Sequence, residues 1–249
     1  MGSIYVEGDL RIMAKKKTTK IDNKVQEALA KLDVDMVGVV RIDDLKKNKL
    51  AQAAQKLLPS VKSIVVMGME IYPEFLDLTS PEMVMGAPNM NNLLTRHKDY
   101  LRGRLVKASY DVAKASHQAG LKALPLPGDG PAVDGRFLEA VISYKHTAEA
   151  AGLGNIGMSS LLVTEKYGPR VLLNLCLTEA VLKSTAGKTQ KNCRYCNVCV
   201  VKCPAKALGR PKAGEAYALN KFACRTYVEA SGGCSECMRV CPVASPRYE

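Results

Sequence analysis

Hydrophobic positions alternate between helical and strand-like spacing along most of the chain. Ile21, Val25, Ala28, Leu29 and Leu32 recur at helical spacing, which predicts a helix over 21–32. A Val-rich run at 36–42 reads as a short strand. Asp43 and Asp44 then supply start signals for a helix that continues through Leu45, Leu50, Ala54 and Leu57 and stops before Pro59. Residues 63–69 form another apolar strand, and a long helical pattern covers 89–118, ended by Gly120. Further on, 121–126 suit a strand, 127–135 a loop, 137–151 a return to helix and 169–178 a closing strand. Helices interleaved with strands argue for an α/β or α+β layer structure in which both faces of a sheet are covered.

Composition changes this picture little. The 249 residues are 47% hydrophobic and 24% charged, as in an ordinary globular protein of one large domain or two small ones. No apolar run approaches the roughly 18 residues of a membrane span. No apolar core with a small-residue cleavage site opens the chain, so a cytoplasmic protein without a membrane partner is expected. Met13-Ala14-Lys15 looks like a natural start, so residues 1–12 read as vector-derived and 13–182 as the α/β domain. The polar stretch 183–192 reads as a linker into a cysteine-rich module at 193–249. Neither a Walker motif nor a G-x-G-x-x-G between strand and helix occurs, which leaves ATP and nicotinamide chemistry without a local signal.

The cysteines carry the chemistry. Eight of the nine fall in two groups, Cys193-x2-Cys196-x2-Cys199-x3-Cys203-Pro204 and Cys224-x9-Cys234-x2-Cys237-x3-Cys241-Pro242. The first resembles the run with which bacterial ferredoxins hold four-iron clusters, and the second is the same device with its first ligand stretched away. Two intervening residues let a chain wrap three corners of a cluster, with backbone N–H groups near the sulfurs. The proline after the last cysteine suits the first turn of a helix. By analogy with two-cluster ferredoxins, Cys193, Cys196, Cys199 and Cys241 hold one 4Fe–4S cluster, and Cys203, Cys224, Cys234 and Cys237 a second. The competing uses fit less well: disulfides need an oxidising compartment, and zinc sites use separated CxxC pairs. None of the three histidines lies in this region, which speaks against a Rieske-type centre. Cys176, inside an apolar strand, reads as a small buried hydrophobe.

The clusters also bear on charge. Lys and Arg number 36 against 24 Asp and Glu, a formal net charge of +12. Two oxidised clusters of about −2 each would lower it to about +8, so part of the basic excess balances the cofactors while a polyanion site stays open.

One segment carries a more specific resemblance. A-E-A-A-G-L-G-N-I-G-M-S-S-L-L-V, from Ala148 to Val163, resembles the A-G-L-G-x-I-G-x-x-x-L-L stretch of the epoxyqueuosine reductases, relatives of the corrinoid-dependent reductive dehalogenases. Y-G-P-R-V-L-L from Tyr167, with Leu177 and Thr178, matches the strands that follow. R-H-K-D-Y from Arg96, with Arg104 and Leu105, resembles the helix that precedes them, and the two cysteine groups come in the family's order. The resemblance implies a nitroreductase-like sandwich holding a corrinoid (cobalamin), followed by a ferredoxin-like two-cluster module. That module would draw electrons from a ferredoxin- or flavodoxin-type donor and serve reduction of a small molecule, or of a modified base in tRNA.

On this resemblance Gly152, Leu153, Gly154, Ile156, Gly157, Met158, Ser159 and Arg170 are expected at the corrinoid, the glycines letting backbone approach a flat macrocycle. The alternative is that the glycines only cap a helix and turn the chain. Tyr144 with Lys145 is the candidate proton donor, since a phenol needs a nearby cation to deliver a proton. Neighbouring helical residues diverge by about 100°, which works against that pair. The aspartate that the family places before this stretch falls by count on Leu138, with Glu139 beside it and Asp134 nearby. The family's tryptophan after G-L-G is Asn155 here. His97, His117 and His146 read as surface or satisfied core residues. Two other functions stay open: an electron-transfer protein whose α/β part takes a flavin or a protein partner, and a nucleic-acid-associated iron–sulfur protein.

Overall fold

The computed structural model describes residues 20–46, 48–80, 91–128, 130, 133–187 and 191–243. In chain order, helix α1 (Lys20–Leu29) leads to strand β1 (Met36–Arg41), helix α2 (Lys49–Leu57), strand β2 (Ser63–Glu70) and the short helix α3 (Pro73–Asp77). The long helix α4 (Asn91–Gln118) follows, then strand β3 (Ala123–Pro125) and a two-stranded ribbon of β4 (Val133–Asp134) and β5 (Glu139–Ala140). Helix α5 (Tyr144–Ala150) enters a hairpin of β6 (Asn155–Ile156) and β7 (Leu162–Val163), after which β8 (Val171–Thr178) returns through the centre. The cysteine-rich part adds helix α6 (Val198–Val201), strands β9 (Leu208–Gly209) and β10 (Ala218–Leu219), and helices α7 (Lys221–Ala230) and α8 (Glu236–Arg239).

The frame is a four-stranded antiparallel sheet in the order β1-β2-β8-β3. Val65 on β2 lies opposite Val39 on β1 and opposite Cys176 on β8. Side chains alternate along the central strands and feed two cores. Val40, Ile64, Val66, Leu175 and Leu177 pack against α2 and α5 through Ala51, Ala54 and Ala148. Val39, Val65, Met67 and Cys176 pack on the opposite face against α1 and α4 through Val25, Leu29, Leu101, Leu105 and Val112. This is the expected layering, with helices on both faces of a sheet. It accounts for the near-continuous apolar sequence of β2, which has water on neither side. Each fully buried Leu or Ile contributes about 1.5–3 kcal/mol. Cys176 is fully buried and its thiol is pushed up to about 12 by desolvation, so it sits in the sheet as a small apolar side chain.

Two expected helices differ from the structure. The pattern over 43–57 is broken: Ile42–Leu45 is a 3-10 turn, Lys46 is left-handed at φ 43°, and α2 starts only after Asn48. The Asn48 carboxamide oxygen accepts from the N–H groups of Leu50 and Ala51 at 2.9 and 3.1 Å, a cap that outcompetes the aspartates as the start signal. The helix expected over 137–151 begins at Tyr144. Asp134 accepts from the backbone and guanidinium of Arg136 at 2.8–3.1 Å, which fixes a turn, and Leu138 is left-handed at φ 49°. Phe137 and Val141 are exposed, so their helix-like spacing marks no buried face. The first half of the polar stretch 183–192 is tied down. Lys183 N–H donates to Gln26 at 2.7 Å, Thr185 N–H donates to the Val39 carbonyl at 2.8 Å, and the Thr185 hydroxyl donates to the Ala151 carbonyl at 2.6 Å. Lys188–Gln190 lie outside the described residues. No helix among the described residues is long and apolar enough to cross a membrane.

Candidate iron–sulfur site and its seam with the sheet domain

The eight clustered cysteines carry free thiols, none in a disulfide. Burial and repulsion from neighbouring thiolates raise the ionisation of Cys199, Cys224, Cys234, Cys237 and Cys241, and the pattern of repulsion sorts them. Cys199 is pushed up to about 11 by burial first and then by Cys193, Cys241 and Cys196. Cys241 is raised by burial and by Cys193 and Cys196. Cys224 is raised by burial and then by Cys234 and Cys203, and Cys237 reaches about 12 through burial and then Cys234, Cys224, Cys199 and Cys203. By these fields Cys241 sides with the first sequence group and Cys203 with the second, and Cys237 also feels Cys199. Tyr195 and Asn197 are left-handed at φ 53° and 62° within the first cysteine run. Such alternation turns successive N–H groups inward into a concavity that suits an anion.

The donor set fits two four-iron clusters: eight thiols in two foursomes, a backbone concavity for negative charge, and a cavity. The four cysteines of the first foursome line that cavity together with Met158, Ser159 and Val163 of the sheet domain. Among the described residues no three His, Cys, Asp or Glu side chains converge tightly enough for a single ion. A cubane spreads its thiolates over corners of a larger body.

The hairpin β6–β7 forms the seam. Asn155, the residue that stands where the family has tryptophan, is buried, and its side-chain oxygen accepts from the N–H groups of Asn192 and Cys193 at 2.6 and 3.3 Å. Asn192 reaches back to the Val163 carbonyl at 2.9 Å. The first cysteine is thus positioned by a polar clasp that tryptophan could not make.

The residues expected around a corrinoid pack against the protein itself. A Cβ on Gly154 would lie 2.4 Å from the Val163 carbonyl oxygen, and one on Gly157 would lie 2.7 Å from Val163 Cγ2 and 3.2 Å from Cys193 Sγ. Gly152, at φ +79°, ends α5, and a Cβ there would lie 2.9 Å from the Thr185 carbonyl. Leu153 fills the space beside Gly38, and Ile156 is buried. Arg170 is buried and donates to Glu70 at 3.0 Å, with Cys241 within its field. Met158 and Ser159 face the first foursome.

Tyr144 and Lys145 do not pair. The Tyr144 hydroxyl donates to the Pro127 carbonyl at 2.8 Å, in the buried face of α5. Lys145 points across the seam: its ammonium donates to the Ser160 carbonyl and hydroxyl at 2.7 and 2.5 Å and sits 4.3 Å above the ring of Tyr217. Burial lowers the Lys145 ionisation, and the Tyr217 phenol opposes that shift. Tyr217 lies in the cysteine-rich part with no local motif around it, so only the fold could have found it. Of the remaining candidates, Asp134 pairs with Arg136 and Glu139 with Lys221, both at the surface ribbon. His97 is buried, stacked 4.2 Å from Phe75, and accepts from the Tyr72 N–H at 3.2 Å. His146 contacts Ser143 at 2.7 Å, and His117 is exposed.

No protein-family profile matches the chain. A tetrachloroethene reductive dehalogenase of Desulfitobacterium hafniense is 27% identical over 200 residues, which is 72% of this chain and 32% of that protein. An epoxyqueuosine reductase of Synechocystis sp. is 28% identical over 171 residues, 66% of this chain and 52% of that protein. The chain therefore spans about a third to a half of the length of these relatives. A solved reductive dehalogenase, described for B12-dependent dehalogenation, aligns with 88% of this chain and 31% of its own at 17% identity and a TM-score of 0.63, which establishes a shared mixed α/β fold. By sequence and fold together, the chain is similar to the reductive dehalogenases and epoxyqueuosine reductases.

Proposed function

We propose that the chain is an iron–sulfur oxidoreductase unit: a ferredoxin-like two-cluster module, docked on a nitroreductase-like sandwich, that delivers single electrons to an acceptor at the sheet domain. The observation that carries this reading is the first cysteine foursome, completed by Cys241 and walled by Met158, Ser159 and Val163 of the sheet domain. When bound, the two clusters supply one-electron storage and transfer. The chain's own residues position them: Asn155 holds the first cysteine's backbone, and Arg170 lends positive charge near Cys241.

A corrinoid is the acceptor to which the relatives point, and the Cβ positions of Gly154 and Gly157 face Val163 and Cys193 of the chain itself. No step through a corrinoid is assigned to this corner. The test is anaerobic reconstitution followed by iron analysis and EPR under dithionite, where about eight iron per chain and two reduced signals are expected. Assembly of fewer than about four iron would overturn the reading. Titration with cob(II)alamin then identifies the acceptor class. A base-off cobalt signal at one equivalent means a corrinoid held elsewhere on the sheet domain, and an unchanged spectrum means a flavin or protein partner.

Within the same proposal the Tyr217 phenol, in the place expected for Tyr144, supplies the proton that accompanies reduction, and the Lys145 ammonium 4.3 Å from its ring holds the resulting anion. Tyr217→Phe keeps the ring and removes the phenol. It is expected to leave iron content unchanged and to slow reoxidation of the reduced clusters by the acceptor about 100-fold, as loss of a positioned acid does. An unchanged rate would remove Tyr217 from the chemistry.

A further inference from the structure

Several basic side chains of the sheet domain have a carboxylate partner. Arg104 meets Asp33, Arg102 meets Asp99 and Arg170 meets Glu70. Lys98, on the face of α4 that meets the cysteine-rich part, is different. Its ammonium donates to the hydroxyl of Ser235 at 3.0 Å, Ser235 is buried next to Cys234, and no carboxylate among the described residues lies within ion-pair distance. Asp99 beside it pairs with Arg102, and Glu236 beside Ser235 is taken up by Arg239 through both oxygens at 2.8 and 2.9 Å. Arg102, one turn further along α4, repels the Lys98 ammonium, while Cys237 and Cys234 attract it.

A partly desolvated ammonium with no carboxylate partner is costly unless another negative charge compensates it. With a cluster bound, the thiolates of the second cysteine foursome would supply that charge. We propose that Lys98 is the built-in counter-charge of the second cluster, favouring its one-electron reduced, more negative form and raising its potential. The inference rests on the two-cluster reading. Beside the first foursome, Arg170 is neutralised by Glu70 at 3.0 Å, while Arg194 lines that foursome's cavity. The fixed charge acts here, and Lys98 gives up no proton: one electron from the reductant enters the cluster and the ammonium stays protonated.

The test is an EPR-monitored redox titration of the reconstituted protein with dithionite, comparing wild type, Lys98→Gln and Lys98→Arg. At fixed potential the reduced-to-oxidised ratio of the second cluster is expected to fall at least tenfold in Lys98→Gln, which is 59 mV for one electron. In Lys98→Arg it is expected to stay within about threefold, and the first cluster is expected to stay near its wild-type midpoint in both. An unchanged second cluster in Lys98→Gln, equal shifts in the Gln and Arg variants, or equal shifts of both clusters would each overturn the proposal. Should Lys98→Gln fail to assemble its second cluster, Ser235→Ala decides. Losing the hydroxyl that holds the ammonium shifts the second cluster in the same direction by less, and no shift overturns the proposal. Absence of two signals in wild type would instead refute the cluster reading, so the two failures are distinguishable.

Discussion

Cys203→Ala is expected to abolish one reduced EPR signal and Cys196→Ala the other, each lowering iron from about eight to about four per chain. By position Cys203 belongs with Cys196, only seven residues away in the same run. By structure it belongs elsewhere. Helix α6 carries the chain away after Cys199, and Cys203 contributes to the repulsion at Cys224, Cys234 and Cys237. Cys241 makes the reverse crossing and feels Cys193 and Cys196. The two variants should therefore give complementary spectra, and the double variant should lose both signals. The crossed arrangement is wrong if both single variants erase the same signal. A thiol left behind in a broken foursome is buried with a raised ionisation, which disfavours partial occupancy.

Gly154→Ala is expected to destabilise the protein by about 3 kcal/mol, in the upper range for overpacking. In a chain of this size that is a fall of roughly 6–12 °C in the thermal midpoint, read by circular dichroism on the reconstituted protein. The three atoms nearest the added methyl group, at 2.4, 3.0 and 3.1 Å, all belong to the backbone of Val163 and Thr164, so no side chain can swing aside. Relief requires opening the β6–β7 hairpin. Asn155 and Val163 of that hairpin hold Asn192 and Cys193, so iron should be lost along with stability. Gly103→Ala is the control: nothing lies within 4 Å of its added methyl, and a mid-helix glycine replaced by alanine gains up to about 1 kcal/mol. If Gly154→Ala melts with wild type while losing only the response to an added cofactor, the space is open and the expected macrocycle contact is restored.

What the linear order determined follows from interactions that are short in sequence. The apolar runs at 36–42, 63–69 and 169–178 became three of the four strands of the main sheet, because a strand buried on both faces needs little more than continuous hydrophobicity. The cysteine runs are legible for a similar reason: a cluster is gripped by residues two or three apart, so its chemistry is written locally. The misread helices had local rivals in view, the Asn48 cap and the Asp134–Arg136 turn, which spacing alone does not rank.

Other features required the folded chain. Tyr217 reaches Lys145 from 72 positions away in sequence, and Ser235 meets Lys98 across a separation of 137, so neither neighbourhood leaves a pattern in the order of residues. The use of the glycines was also decided in three dimensions. A missing Cβ in A-G-L-G-N-I-G equally admits a ligand or the chain itself, and at Gly154 the Val163 carbonyl already occupies the space that the missing methyl leaves.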